Sequence, residues 1–332
     1  MRGIEVIAPD GIGEVTAGTD LAVLVSEAID LADGDVVVVT SKAVSKAEGR
    51  TVAAGTGADG EAAYEKALVE ETRRVVARRG RTRIVRNRLG LVMAAAGIDR
   101  SNVEVGTFVL LPDDPDASAR RLRERLLELT GANVGVVVTD TAGRAWRDGQ
   151  TDIAIGAAGL DPSEEFAGQV DPYGNPLEVT LPAVADEIAG AAELAQGKLG
   201  GRPLARLRGR ADLVLGVGEH GPGAASLQRP EGADLFGFGA REAVVVALSG
   251  ESRLHPVFGA PAAPEELAEA FARVSPGALL APSGDAWELR TVSPLPRAAL
   301  TALCVAHGWK AELAEAAPSE SVSFARLSPA SP

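Results

Sequence analysis

Short apolar runs alternate with amphipathic segments along most of the chain, a pattern typical of mixed α/β proteins. Apolar runs of about four to eight residues that are rich in β-branched side chains are too short for helices and predict strands. A hairpin is predicted within 83–97, and the other predicted strands are IEVIA (4–8), DVVVVT (35–40), VGVVVT (134–139), DIAIGAAG (152–159) and DLVLGVG (212–218). The uninterrupted valines of the runs at 35–40 and 134–139 indicate buried strands.

Other segments place apolar residues at helical spacing and predict amphipathic helices at 19–32, 60–79, 114–131 and 181–198. Thr19 is the predicted N-cap of the first helix. Gly131 stands just past the end of the third, where glycine commonly terminates a helix. The residues that follow the strand at 35–40 are interpreted as an exit from that strand into a loop.

The composition changes near residue 245, which predicts two domains, 1–245 and 246–332. The shorter segment has enough apolar residues to bury one face and is predicted to form a small α/β appendage. We expect an accessory module that packs on the larger domain or on a second copy of the chain. The alternative is a tethered domain without effect on activity.

Composition also narrows the functional classes. The net charge of −13 argues against nucleic acids and anionic membranes as partners. Cys304 is the single cysteine, so an internal disulfide is excluded and a reducing compartment is favoured. The chain shows neither a signal peptide nor an apolar run of about 18 residues, so we expect a cytoplasmic protein without a membrane span.

Acidic and hydroxyl side chains follow two apolar stretches. Asp140 and Thr141 come directly after the strand at 134–139, and Asp99 follows an apolar stretch with Asn102 close behind. Ligands of open α/β sheets sit where strands end, and such oxygen ligands suit Mg²⁺ or Mn²⁺. Each acid alone is better explained by a plain turn. The combination favours a metal and phosphate site.

Basic residues accompany these acids. Arg144 and Arg147 lie just beyond Thr141, and Lys42 and Lys46 follow the strand at 35–40 in a chain that has 5 lysines against 28 arginines. Ammonium groups and backbone amides at such a strand exit suit phosphate, although solvated loops of this composition are common. Since P-loop, dinucleotide and nucleophile-elbow motifs are missing, any catalysis must rely on carboxylates, lysines and backbone amides.

The order and spacing of several motifs carry a resemblance to a known family. These motifs are TSKAVSKAEGR (40–50), AAAGIDRSNVE (94–104), LLPDDPDASA (110–119), TDTAGRAWRDGQTDIAIGAAG (139–159), DPYG (171–174), ADEIAGAAELAQGK (185–198) and RLRG (206–209). Together they resemble the coenzyme F420-0:L-glutamate ligase family, also called the F420:γ-glutamyl ligases. The likeness covers about the first 240 residues.

The resemblance implies the ligase fold of this family, an α+β or mixed α/β fold, here with the C-terminal appendage. It also implies a reaction in which GTP drives the joining of L-glutamate to the lactyl carboxylate of coenzyme F420-0, with further γ-linked glutamate added afterwards. The implied intermediate is an acyl phosphate, so charge neutralisation and positioning replace an enzyme nucleophile. The implied cations are Mg²⁺ or Mn²⁺, with K⁺ as a further candidate, and a homodimer is expected.

The resemblance also assigns roles to individual residues. The implied metal ligands are Asp99, Asp140 and Thr141. The implied nucleotide contacts are Ile12, Gly13, Ser41, Lys42, Lys46, Asn102 and the glycine-rich loop formed by Gly197, Lys198, Leu199, Gly200 and Gly201. The candidate catalytic residues are Asp140, Arg144 and Arg147.

Two alternatives stay open at this stage. One is a ligase of the same fold that uses another carboxylate or another amino acid, and the other is a non-catalytic paralogue. Arg210, which replaces the leucine of the family's RGL signature, is a departure that favours them. Mycobacterial relatives continue into a nitroreductase-like flavin domain, but 246–332 is too short for one, so we expect it to bind no flavin.

Overall fold

The computed structural model describes residues 3–101, 103–312 and 321–330. The chain forms two compact units, of which the first comprises 1–75 and 84–228 and the second comprises 76–83 and 229–332. The described α-helices are α1 (Leu21–Ala28), α2 (Ser41–Ala47), α3 (Gly57–Glu71), α4 (Pro115–Thr130), α5 (Val184–Gln196), α6 (Ala240–Ser249), α7 (Pro264–Val274) and α8 (Arg297–Ala306). The predicted mixed α/β class is therefore confirmed, and the boundary predicted at 245/246 lies inside α6.

The strands fall into four sheets. In chain order they are β1 (Glu5–Ile7), β2 (Val36–Thr40), β3 (Thr51–Ala53), β4 (Thr72–Arg79), β5 (Thr82–Asn87), β6 (Val92–Ala94), β7 (Thr107–Val109), β8 (Gly135–Arg144), β9 (Arg147–Ala158), β10 (Leu204–Arg208), β11 (Leu279–Ser283), β12 (Ala286–Pro296), β13 (Trp309–Glu312) and β14 (Ser321–Pro329). The strands predicted at 4–8, 35–40, 134–139 and 152–159 and the predicted hairpin are confirmed.

A five-stranded sheet of order β1-β10-β2-β8-β9 forms the centre of the first unit. Its two middle strands, β2 and β8, run parallel, whereas the other pairs are antiparallel. The valines of β2 alternate between two hydrophobic clusters: Val37 and Val39 pack on one side, where α1 and α4 contribute, and Val36 and Val38 on the other, with α5. Burial on both faces explains why these strands contain unbroken apolar runs.

The prediction of a strand at 212–218 is wrong. A short 3₁₀ helix at Ala211–Leu213 begins that segment, and the strand between β1 and β2 is β10 instead. The alternating arginines of β10 conceal it in the sequence. Arg206 is nevertheless buried, because its guanidinium donates to Glu5 and to the Asp30 carbonyl.

Three helices also differ from the predictions: one is shorter, one was expected as a loop, and one has a different N-cap. The helix predicted over 60–79 stops at Glu71, and its β-branched, arginine-rich second half forms β4. The residues after β2, expected as a loop, form α2, whose first turn is capped by the Thr40 hydroxyl. Asp20 rather than Thr19 caps α1, because its carboxylate accepts from the backbone amides of Ala22 and Val23. The prediction for α4 and its left-handed Gly131 is confirmed.

The second unit has its own sheet and core. Its four antiparallel strands have the order β11-β12-β14-β13. Side chains from α7, α8 and this sheet form a hydrophobic cluster that includes Leu267, Phe271, Leu289, Leu300 and Leu327. The small α/β architecture expected for the C-terminal segment is thus observed, although the unit begins earlier in the chain.

One buried arginine fixes a long loop of the first unit. Arg123 on α4 is only 4% exposed, and its guanidinium donates to the carbonyls of Val134, Leu215, Gly216 and Glu219 at 2.5–3.1 Å. Backbone carbonyls that are buried without a partner are costly, so this side chain substitutes for secondary structure along the loop.

We predict that Arg123→Met lowers the free energy of unfolding by about 3 kcal/mol, because the buried Val134 carbonyl and three part-buried carbonyls lose their donor. Chemical denaturation monitored by circular dichroism measures the change. Arg120→Met on the exposed face of the same helix serves as the control. Equal stability of the two variants would contradict this role of Arg123.

Candidate active site

A pocket of about 410 Å³ opens in the first unit beside the ends of β2 and β10 and the middle of β8. It collects most of the residues singled out from the sequence. Those lining it are Ile12, Gly13, Ser41, Lys42, Lys46, Asp99, Asp140, Thr141, Gly197, Lys198, Leu199 and Gly201. Gly200 lies between two lining residues without lining the pocket itself, and Asn102 lies outside the described residues.

The sequence suggested that the strand bearing Asp140 ends there, but the strand continues. β8 continues to Arg144 and pairs with β9 along a long antiparallel hairpin. Arg144 and Arg147 lie exposed at the tip of this hairpin, where Arg144 Nη2 donates to the Asp148 carbonyl at 3.1 Å. The structure does not bring these two arginines to the pocket, so their catalytic role stays a prediction.

Asp140 is the acid with the least compensated charge in the pocket. Its Oδ1 accepts a hydrogen bond from Ser41 Oγ at 2.8 Å, and among the described residues no lysine or arginine pairs with it. The pKa of Asp140 is raised to about 7, mainly because of burial; the hydrogen bond from Ser41 opposes this shift, and the nearby charge of Asp152 adds to it. A cation bound here would remove the penalty of that buried charge.

Asp99 is neutralised instead by an ammonium group. Lys42 Nζ lies 2.7 Å from Asp99 Oδ2 and also donates to the carbonyl and hydroxyl oxygens of Ser101. Burial by itself raises the pKa of Asp99, but the hydrogen bonds from Lys42 and Ser101 outweigh burial and hold the pKa below its ordinary value. Asp99 is therefore a carboxylate near neutral pH, while Asp140 titrates there.

Asp152 is a pocket acid that the sequence analysis missed. It faces Thr141 across the β8–β9 ladder and is only 3% exposed. Its oxygens accept from the hydroxyls of Thr139 and Thr141 at 3.2 and 2.7 Å and lie 3.3 Å from Lys198 Nζ. The sequence signal that could have identified Asp152 is its spacing: an acid stands two and four residues before the buried apolar positions Ala154 and Gly156 of the same strand.

Lys198 holds the glycine-rich loop against these acids. Its Nζ donates to Thr141 Oγ1 at 2.7 Å and lies 2.8 Å from Glu193 Oε1 on α5. Burial lowers the pKa of Lys198, but the hydrogen bond to Glu193 and the charge of Asp152 outweigh burial and raise the pKa. The pocket residues Glu193, Gln196 and Arg202 were likewise missed by the sequence analysis.

The donors in the pocket fit a hard divalent cation that takes few protein ligands. Among the described residues no three acid, histidine or cysteine side chains are grouped as a metal site. Mg²⁺ commonly uses one or two carboxylates and completes its shell with water and substrate phosphates. The partly buried carboxylate of Asp140, whose described partner is the Ser41 hydroxyl, and the neighbouring hydroxyl of Thr141 match that chemistry.

The described helices include none that is both long and apolar enough to cross a membrane. A sequence model of the F420-0:gamma-glutamyl ligase family matches residues 11–209 of the 332 in the chain, a stretch that contains every pocket residue.

Individual relatives agree with this match. The coenzyme F420:L-glutamate ligase of Archaeoglobus fulgidus is 42% identical over 221 residues, which cover 62% of this chain and 88% of the relative. The ligase of the same name from Methanothermobacter thermautotrophicus is 38% identical over 255 residues, covering 70% and 99%. That of Methanopyrus kandleri is 39% identical over 211 residues, covering 59% and 83%. The chain therefore belongs to the F420-0:gamma-glutamyl ligase family and is a ligase.

Proposed function

We propose that this ligase joins L-glutamate to the lactyl carboxylate of coenzyme F420-0, and then adds γ-linked glutamate, at the expense of GTP. The observation that carries the proposal is the pocket itself, where Asp140, a partly buried carboxylate that pairs with no lysine or arginine among the described residues, lies near lysines that suit phosphate. The names of the relatives support the choice of acceptor and amino acid.

The lysines of the pocket differ in how strongly they are already neutralised. Lys42 and Lys198 lie within 2.8 Å of carboxylate oxygens, whereas Lys46 Nζ is 3.8 Å from Glu14, a side chain that is 77% exposed. Lys46 is thus the pocket lysine with most charge to offer a phosphate. We assign the nucleotide to Ile12, Gly13, Ser41, Lys42 and Lys46, with the backbone of the loop 197–201 facing them.

We assign Mg²⁺ or Mn²⁺ to Asp140 and Thr141, with Asp99 as a further ligand. When bound, the metal supplies positive charge that neutralises the transferring phosphate. The protein residues do the remaining work: Ser41 orients the Asp140 carboxylate through its hydrogen bond, and Lys198 holds Thr141 in place.

The proposed chemistry has two steps and needs no covalent bond to the enzyme. The acceptor carboxylate attacks the γ-phosphorus of GTP, which forms an acyl phosphate and releases GDP. The amine of L-glutamate then attacks the acyl carbon, loses a proton, and displaces phosphate to leave an amide. Both steps depend on holding reactants together and neutralising phosphate, as the lysines and acids of the pocket can do.

The activity is tested by incubating the protein with GTP, Mn²⁺, L-glutamate and coenzyme F420-0 and following the mass of the coenzyme. We expect gains of whole glutamate units that require all four components and are not supported when ATP replaces GTP. Ligation of glutamate to a different carboxylate, with coenzyme F420-0 left unchanged, would contradict the proposed acceptor.

We predict that Asp140→Asn abolishes ligation yet stabilises the metal-free protein above pH 7. Folding raises the pKa of Asp140 from its ordinary value to about 7, so the folded state is penalised as pH rises between these values. The gain in unfolding free energy should be near zero at pH 4 and reach on the order of a few kcal/mol above pH 7. Denaturant titrations at several pH values measure it.

Added Mn²⁺ should reverse this order by stabilising the wild type and not Asp140→Asn. Asp161→Asn, at an exposed site outside the pocket, is the control. If metal-free Asp140→Asn were less stable than wild type at pH 8, the buried charge of Asp140 would not be the source of the shift.

Lys46→Ala should raise KM for GTP about tenfold or more while KM for L-glutamate changes little, because a charge-assisted contact to phosphate is lost. Steady-state kinetics with each substrate varied in turn measure the two values. Lys66→Ala removes an exposed lysine of α3 outside the pocket and should leave both constants unchanged. An effect on L-glutamate alone would assign Lys46 to the other substrate.

A further inference from the structure

Three oxygen atoms from three different elements surround the ammonium group of Lys198. Its Nζ donates to Thr141 Oγ1 of β8 at 2.7 Å and lies 2.8 Å from Glu193 Oε1 of α5. The third oxygen is Asp152 Oδ1 of β9, at 3.3 Å. An ammonium group has three N–H donors, so these three oxygens can occupy all of them. Within the described contacts Lys198 therefore has no N–H to spare for a phosphate.

The three oxygens are of the kind that binds divalent cations. Two carboxylates and a hydroxyl are hard ligands, which suit Mg²⁺ or Mn²⁺. Asp152 and Glu193 contribute two negative charges, and their side chains are only 4% and 21% exposed. Water solvates such charges only in part, so a cation is needed to compensate them. In this chain the cation is an ammonium group.

The other cationic side chains of the pocket contact different partners. Arg202 donates to Asp10 Oδ1 at 2.7 Å and to a backbone carbonyl of α5. Lys42 lies 2.7 Å from Asp99, and Lys46 lies 3.8 Å from an exposed glutamate. Among the described residues, one ammonium group alone compensates the two carboxylates of β9 and α5.

Resting on the function proposed above, we propose that the ammonium group of Lys198 takes the place of a second divalent cation in this pocket. The ligase then works with one metal ion, at Asp140, and with one fixed positive charge beside it. Thr141 connects the two, because its hydroxyl accepts from Lys198 and is one of the ligands assigned to the metal. As part of the chain, the ammonium charge is present at any metal concentration.

The test is the number of Mn²⁺ ions bound per chain, counted by equilibrium dialysis with and without GDP. We expect about one ion for the wild type. Lys198→Met keeps the length of the side chain and removes its charge, so it should bind about two. Lys66→Met, which removes an exposed lysine 3.8 Å from Glu70 outside the pocket, is the matched control and should bind about one.

Two further measurements locate the additional ion. Asp152→Asn combined with Lys198→Met removes one of the carboxylates and should return the count to about one ion. Mn²⁺ should also raise the melting temperature of Lys198→Met by more than that of the wild type, because the ion compensates acids that have lost their lysine.

Two ions on the wild type would overturn the proposal without any variant, and so would none. One ion on folded Lys198→Met would also overturn it, because the three oxygens would then not form a cation site. These counts require neither L-glutamate nor coenzyme F420-0. A wild type that binds one ion but does not ligate glutamate to the coenzyme would therefore refute the proposed function and leave this inference standing.

Discussion

The parallel pairing of β2 with β8 is the constraint on which the site depends. The two strands are in register from Val36 and Gly135 to Thr40 and Thr139. Because the register continues to the next residues, Ser41 and Asp140 meet in a hydrogen bond although 99 positions separate them in the chain. Valines buried on both faces hold this register, since a slip by one residue would exchange the two faces of the sheet.

The strands that pair antiparallel with β2 and β8 position further parts of the site. β9 brings Asp152 opposite Thr141, and β10 begins beside the end of β2, so the loop between α5 and β10 lies over the pocket. Two of the three pocket lysines satisfy particular acids: Lys42 pairs with Asp99, and Lys198 pairs with Asp152 and Glu193. Within the described residues Asp140 has no such partner; burial raises its pKa, whereas hydrogen bonds from Lys42 and Ser101 hold the pKa of Asp99 below its ordinary value.

Local signals in the sequence were sufficient for the elements whose patterns depend on neighbours in the chain. The valine runs, the Asp114 cap and the left-handed Gly131 specify β2, β8 and α4 by themselves. β10 was missed because Arg206 is buried only through partners that the sequence places far away, Glu5 and Asp30. Asp152 was missed for a similar reason, since its role depends on the β8–β9 register. β8 also continues past Asp140, which places Arg144 at the tip of the hairpin and leaves its catalytic role a prediction.

Charged side chains of the first unit differ in how fully their charges are matched. Where burial serves the fold, the charges are matched: both oxygens of Asp35 accept from Arg208, and Glu71 binds Arg50 and Arg88. Among the pocket residues that the structure describes, Asp140 has no lysine or arginine partner and the carboxamide of Gln196 has no hydrogen-bond partner. Unmatched groups of this kind lower the stability of the empty protein. Because a ligand that matches such a group recovers that loss on binding, a cation bound at Asp140 would offset the cost of its charge in the folded protein.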